Sequence, residues 1–536
     1  MNLPIRLTFS LALAAPVLNA QTAKQLWDTR YYGPGAGTNI STGVAVDGSG
    51  NMIVTGYSYE SGSGMDYYTA KYAAVDGALL WEKRHNGNGG SPDYARALAL
   101  DASGNAIVTG EGYASGGQGP FFYTAKYAAA DGVVLWEKLT KTGAIAYALA
   151  VDSGGNVVVT GIANGYDYYT AKYAATDGAL LWEKRYNGTG NGDDFALAVA
   201  VDGSDNVVVT GYSPGIGSGK DYYTAKYAVA DGALLWEKRY NGTGGGSDSA
   251  YAVAVDGSNN VVVTGSSTGA GYDYYTAKYA AVDGALLWEK RYSGSGLKDD
   301  GANAVVVDDR GDVVVTGSST GTGGNYDYYT AKYAAEDGDL LWEKRYNGTA
   351  NSNDYSRAVA VDVSGNVVVT GSSYFSGSKE DFYTVKYAAA TGAVLWDARY
   401  TGWPYSIDRI DGHNSLALTS DGGAVICGYT WYSGSGSNYA TVRYAPPNLI
   451  DYAFGLDPAN GSSQLPQWEV SNGTISTTFT QPPGVSGITY GAEWTTDLAV
   501  SPWILIPDTG TGGTHTFSVP IGPDPRKFFR FTVSQP

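Results

Sequence analysis

The sequence predicts an all-β chain: an eight-bladed β-propeller closed by an N-terminal strand, followed by a small C-terminal β-sandwich. Three observations carry this expectation. Leu-Trp pairs recur with tryptophans at 27, 81, 136, 182, 236, 288, 342 and 396. Between them lie short runs rich in Val, Thr, Tyr and Trp, punctuated by Gly, Asn, Asp and Ser, which is the composition of strands and tight turns. No stretch carries a helical period of useful length. Four strands in each unit of roughly 50 residues, repeated along the chain, describe the blades of a propeller.

Residues 1–20 read as an export signal. They hold one early cation, Arg6, an apolar run and a terminal Asn19-Ala20, a segment too short to span a bilayer. The expected domains are thus a signal peptide at 1–20, the propeller at 21–445 and the β module at 446–536. Each propeller unit offers four strands, A to D. In the fifth unit these are AVAVD (252–256), VVVTG (261–265), DYYTAKYA (273–280) and ALLWEKRY (285–292). The A–B links are Asp-Gly-Ser-Gly-Asn or relatives of it, and six C–D links carry Asp-Gly, both hairpin signals. The first strand-like run, LWDTRYY (26–32), has the character of a D strand. The last unit has A, B and C but no D, so the first run is expected to complete it and remove an exposed edge.

Composition excludes several functions. A net charge of −18 argues against nucleic acid and anionic membrane surfaces as partners. One cysteine, Cys427, rules out a disulfide framework and a Cys-rich zinc site, and three histidines leave little for a His metal site. No later apolar run is long enough to span a membrane. Cys427 is expected as a buried small hydrophobe.

The stretch Ala254 to Gly265, A-x-D-G-x-x-N-x-x-V-T-G, and its counterparts make residues 26–445 resemble the bacterial SBBP-type β-propeller repeat family. That resemblance implies an extracellular or surface-exposed propeller with no general catalytic assignment, usually of seven blades where eight are counted here. Ala281 to Trp288, A-x-D-G-x-x-L-W, also resembles the tryptophan-docking motif of the quinoproteins that hold pyrroloquinoline quinone. That family implies adjacent cysteines beside the cofactor, which one cysteine cannot supply. No cofactor is expected, and the tryptophan ring is read as packing between blades.

Two acidic positions recur on the face expected to carry the long D–A and B–C loops. One precedes strand A, at Asp93, Asp194, Asp248, Asp300, Asp354 and Asp411, with Asn39 and Ala144 breaking the series. The other opens strand C, at Asp66, Asp167, Asp221, Asp273, Asp327 and Asp381. Carboxylates are hard ligands, so Asp194, Asp248, Asp300 and Asp354 with Asp221, Asp273, Asp327 and Asp381 are candidate Ca²⁺ ligands. The competing expectation is structural: strand C carries a cation in every unit, from Lys71 to Arg443, and a buried Lys needs a partner. No catalytic residues emerge. His85 stands where the repeat has Tyr, and Asp411 with His413 is the sole Asp/His proximity.

In the C-terminal part, 448–458 reads as one short helix. Six strands are expected after it, at 467–472, 475–481, 488–494, 503–507, 514–521 and 527–533. Trp468, Trp494 and Trp503 are read as core residues before a sugar-stacking platform. This part resembles, weakly, the compact β modules that end many large bacterial secreted proteins. The expected function is that of a monomeric secreted, periplasmic or cell-surface binding scaffold whose loop face engages a glycan or protein. The alternative is a polysaccharide hydrolase or lyase with its site at the central channel.

Overall fold

The computed structural model describes residues 21–446 apart from 36, 88–90, 114–119, 164, 244, 270, 295–298, 322, 376–378, 404–405, 411, 413 and 433–435, and then 466–471, 474–481, 489–495, 503–520 and 528–534. The short helix expected at 448–458, the export signal at 1–20, and Asp411 and His413 lie outside the described residues. The chain separates into two compact units. One comprises Lys24–Gly392 and Asp397–Ala445; the other contains Pro446–Pro536.

Among the described residues every regular element is a strand, and no helix is long and apolar enough to cross a membrane. The larger unit is a β-propeller. Its antiparallel sheets each take strands A to D in chain order, spanning 39–85, 94–142, 145–186, 195–240, 249–292, 301–346 and 354–400. Repeat 5 is representative, with strands Ser249–Val255, Val261–Thr268, Tyr272–Tyr279 and Leu286–Tyr292. A further sheet joins the two ends of the unit. Lys24–Tyr31 pairs antiparallel with Gly436–Ala445, which pairs with Ala424–Tyr432. Strand A of this last repeat is split into Ile407–Arg409 and Leu416–Leu418.

A repeated cross-sheet clasp fixes the stacking. In repeat 5 the Trp288 indole N–H donates to the carbonyl of Ala335 in the next repeat (3.3 Å), and Lys278 Nζ donates to the same oxygen (2.9 Å). Lys278 also pairs with Asp256 of its own A–B turn at 2.9 Å, with both side chains buried. The same trio recurs as Trp81, Lys71 and Asp47 on Ala129, and as Trp236, Lys226 and Asp202 on Ala281. Trp27 and Arg443 grip Ala74 in the same way, so the clasp passes from the last repeat to the first. The Asp-Gly turns serve the clasp: a Cβ on Gly338, at φ +71°, would sit 2.7 Å from the Trp288 ring. Trp236 and Trp288 are 6% and 5% exposed, so the tryptophan ring is packing.

The partner of the strand-C lysines is thus the A–B turn aspartate, not the acids of the loop face. Burial opposes ionisation of Asp256, but Lys278 and the Asn260 bonds outweigh it and hold the carboxyl below its usual range. Asp47, Asp152 and Asp362 behave alike. At the same interface between repeats, a strand-D Tyr stacks on a strand-C Tyr of the following repeat, as Tyr240 does on Tyr275 at 3.7 Å. His85 takes that place in repeat 1 and stacks on Tyr123 at the same distance.

The described strands of the C-terminal part form two three-stranded sheets, one of Glu469–Ser471, Thr474–Thr480 and Thr514–Pro520, the other of Ile504–Ile506, Thr489–Thr495 and Phe528–Ser534. They share a core that includes Ile475, Tyr490, Phe517, Phe529 and Phe531. Trp468 is buried in it, stacked 4.4 Å from Phe529, and Arg530 lies over Trp503 at 4.1 Å.

Candidate functional site: a cleft beside the central channel

Strand A of each regular repeat carries a β-bulge. In repeat 5 Ala250 pairs with Gly265 and Ala252 with Thr264, which leaves Tyr251 out of the ladder. A bulge re-aims the side chain of its extra residue. The glycine of the repeated Val-Thr-Gly makes room for it, since a Cβ on Gly265 would collide with the carbonyl oxygen of Ser249. The bulged residues are Thr42, Arg96, Tyr147, Leu197, Tyr251, Asn303 and Arg357. All but Arg357, together with Asn414, line a central channel of about 590 Å³, whose wall continues through Leu149, Val199, Val253, Val305 and Val359. At this position the repeats do not keep one residue type: it is Thr, Arg, Tyr, Leu or Asn.

A second cavity, about 390 Å³, opens beside the channel over repeats 5 to 7 and shares Tyr251 and Asn303 with it. Its walls carry Tyr251, Tyr272, Tyr326 and Tyr355, with Lys220, Asp299 and Arg357. The cleft exists because two positions become small. The residue after Val-Thr-Gly is Tyr57, Glu111, Ile162 and Tyr212 in the first four repeats, but Ser266, Ser318 and Ser372 in the next three. The first residue of the regular strand-A run is Tyr94, Ile145 and Phe195 in repeats 2 to 4, but Ser249 and Gly301 in repeats 5 and 6. In repeat 4 Phe195 and Tyr212 stack at 5.0 Å and fill the space that repeats 5 and 6 leave open.

Two polar groups on the cleft wall are unsatisfied. Ser318, only 9% exposed, has no hydrogen-bond partner for its Oγ, and neither has the buried Nε of Arg357. Buried polar atoms are ordinarily paired. Arg357 lies over the Tyr355 ring at 5.7 Å.

The candidate calcium ligands are engaged otherwise. Asp194, Asp248, Asp300 and Asp354 are buried and accept the backbone N–H of Gly188, Gly242, Gly294 and Gly348 at 2.7–2.8 Å. Asp248, Asp300 and Asp354 take a second N–H, from Thr268, Thr320 and Tyr374. Asp221, Asp273, Asp327 and Asp381 bond Arg239, Arg291, Arg345 and Arg399 of strand D at 2.6–3.3 Å. Those arginines also reach a tyrosine hydroxyl of the preceding repeat, as Arg345 does to Tyr292. In the last repeat the N–H of Gly402 goes to Asp408, which therefore holds the place that the sequence register gave to Asp411. The split of strand A shifts the register there. Burial drives the Asp408 carboxyl up to about 7 and that of Asp93 to about 6. Among the described residues no group of three or more His, Cys, Asp or Glu is placed to hold a metal. Cys427 is fully buried, its thiol pushed up to about 12 by burial, and supplies no part of the adjacent-cysteine pair that the quinoprotein resemblance implies.

Residues 123–276 and 173–428 match the family model described as outer membrane protein assembly factor BamB, together more than half of the chain, and the chain belongs to that family. Among solved structures, BamB from Moraxella catarrhalis is similar at 15% identity, covering 79% of this chain and 100% of that one, with a TM-score of 0.46. A quinohemoprotein alcohol dehydrogenase from Comamonas testosteroni is similar at 13% identity over 81% of this chain and 78% of that one, with a TM-score of 0.46. A europium-containing methanol dehydrogenase is similar at 12% identity over 81% and 96%, with a TM-score of 0.48. No curated protein matches the chain.

Proposed function

We propose that the protein is an exported, monomeric binding scaffold, periplasmic or at the cell surface, that holds a glycan in the cleft over repeats 5 to 7. In this reading the larger unit is an eight-bladed ring closed by Lys24–Tyr31, and 446–536 is an appended β-sandwich. The observation that carries the reading is the cleft itself, which forms where the repeats give up bulk and lays four tyrosines around unsatisfied polar groups. Tyrosine joins apolar area to a hydroxyl and suits the faces and edges of sugar rings. Membership of a family described as an assembly factor supports the scaffold part of the reading.

The irregular ring of bulged residues at the channel mouth favours a second reading, a polysaccharide hydrolase or lyase. Glycoside cleavage uses two carboxylates flanking the bond. The carboxylates lining the cleft are Asp299 and Asp300, adjacent in the chain, and Asp300 already accepts two backbone N–H groups. Binding without cleavage is therefore preferred.

A glycan array probed with the full chain, and with the S266Y/S318Y double variant, tests the proposal. The unaltered chain is expected to retain defined oligosaccharides without shortening them. The filled cleft is expected to lose them at an unchanged thermal midpoint. Retention by the double variant would remove the cleft from the account, and shortened products would favour the hydrolase. The loop-face acids are read as structural, so millimolar Ca²⁺ is expected to leave the calorimetric midpoint unmoved.

A further inference from the structure

The ring of bulged residues contains arginine twice, and the two copies are treated differently. Arg96 in repeat 2 faces Glu111, the residue after Val-Thr-Gly, and pairs with it at 2.5 Å; the glutamate side chain is 4% exposed. Arg357 occupies the same bulge position in repeat 7, where the residue after Val-Thr-Gly is Ser372. The Ser372 hydroxyl accepts the backbone N–H of Ile410 at 3.0 Å and carries no charge to offer. Glu380, the nearby acid that acts on Tyr355, is taken by Arg409 at 2.6 Å. Among the described residues Arg357 has neither an ion pair nor a hydrogen bond, and its Nε is buried. A partly buried guanidinium without a counter-charge is costly, and its planar fork matches a carboxylate.

We infer that Arg357 reads a carboxylate on the bound ligand, and that the cleft selects a uronate-containing oligosaccharide over its neutral counterpart. The inference rests on the glycan reading above. The tyrosines around Arg357 provide surface for sugar rings, and the unpartnered Ser318 hydroxyl provides a site for a ring hydroxyl. A single carboxylate per sugar also suits a site with Asp299 at its rim in a chain of charge −18, which would repel a densely sulfated polymer.

Calorimetric titration of the full chain with tetragalacturonate, tetramannuronate and tetraglucuronate tests this, beside the carboxyl-reduced form of each and a glutamate-rich peptide. At least one uronate is expected to bind at least tenfold tighter than its reduced form. R357Q is expected to erase that difference while the reduced sugar binds as before. R357K should keep part of it, because a point charge replaces the fork. R310Q, which removes the same charge at an A–B turn, should change nothing. Equal affinity for charged and reduced sugars, or an unchanged preference in R357Q, overturns the inference and leaves the glycan reading standing. Binding of none of the sugars overturns both, as does Arg357-dependent binding of the peptide alone.

Discussion

The base of each repeat and its channel end obey opposite rules. At the base of repeats 1 to 6 the turn aspartate pairs with the strand-C lysine at 2.7–2.9 Å and the strand-D tryptophan donates to a carbonyl of the next repeat. At the channel end the bulge position passes from Thr42 to Arg96, Tyr147 and Leu197. The base holds repeat to repeat, so each copy must fit the next. The bulged residue stands outside the clasp; Thr42 and Asn303 each donate to a carbonyl of the next repeat, but no single residue type is required there. Loops and bulges on a rigid scaffold are where function sits, and here the divergent column marks it.

The largest expected effect tests the base. K278M leaves the buried Asp256 without its partner and should cost about 3–5 kcal/mol in chemical denaturation. K226M should cost the same, since its clasp is equivalent. Unequal losses would break the idea that the base is uniform.

Next comes the join between the chain ends. W236A should destabilise by about 3–5 kcal/mol through the lost packing, and W27A should match it, because Trp27 bonds Ala74 as Trp236 bonds Ala281. A much smaller effect for W27A would mean that the last repeat is not clasped to the first.

The two arginines at the bulge position sharpen the contrast. R96Q strands the nearly buried Glu111 and should cost about 1–3 kcal/mol. R357Q breaks no bond and should stay within about 0.5 kcal/mol of the unaltered chain. Comparable losses would show that Arg357 has a structural partner after all.

The smallest effect is in pH. The Asp408 carboxyl, raised to about 7 by burial, binds its proton more tightly folded than unfolded. Its contribution is present below the unfolded value and is lost as pH rises toward 7. The turn aspartates, held low, act the other way and lose theirs as pH falls below the unfolded value. D408N should therefore flatten the decline in thermal midpoint between about pH 4 and 7 and leave the acid limb unchanged. An altered acid limb would mean that Asp408 belongs with the turn aspartates.

Much of the scaffold was legible from residue patterns. The beat of Leu-Trp and Val-Thr-Gly marks strands D and B, and all six C-terminal strands lie where alternating runs place them. The pairing of ions was not. Lys278 meets Asp256, 22 residues back, while Asp273 meets Arg291, 18 residues ahead. Both follow from strand register and facing direction, which spacing alone leaves ambiguous. The irregular strand A of the last repeat hid Asp408 behind Asp411.

The cleft left a trace too, but in the columns that fail to repeat: Ser266, Ser318 and Ser372 after Val-Thr-Gly, and the unlike residues five positions before each turn aspartate. By itself the sequence determined the strands, their order within each repeat and the residues able to clasp neighbours, because these depend on local pattern and on repetition. Only the tertiary structure decided which side chains face the channel and which charges go unpaired. A bulge turns one residue per repeat out of the ladder, and the register of distant strands sets whether a carboxylate, as for Arg96, or a serine, as for Arg357, stands opposite it.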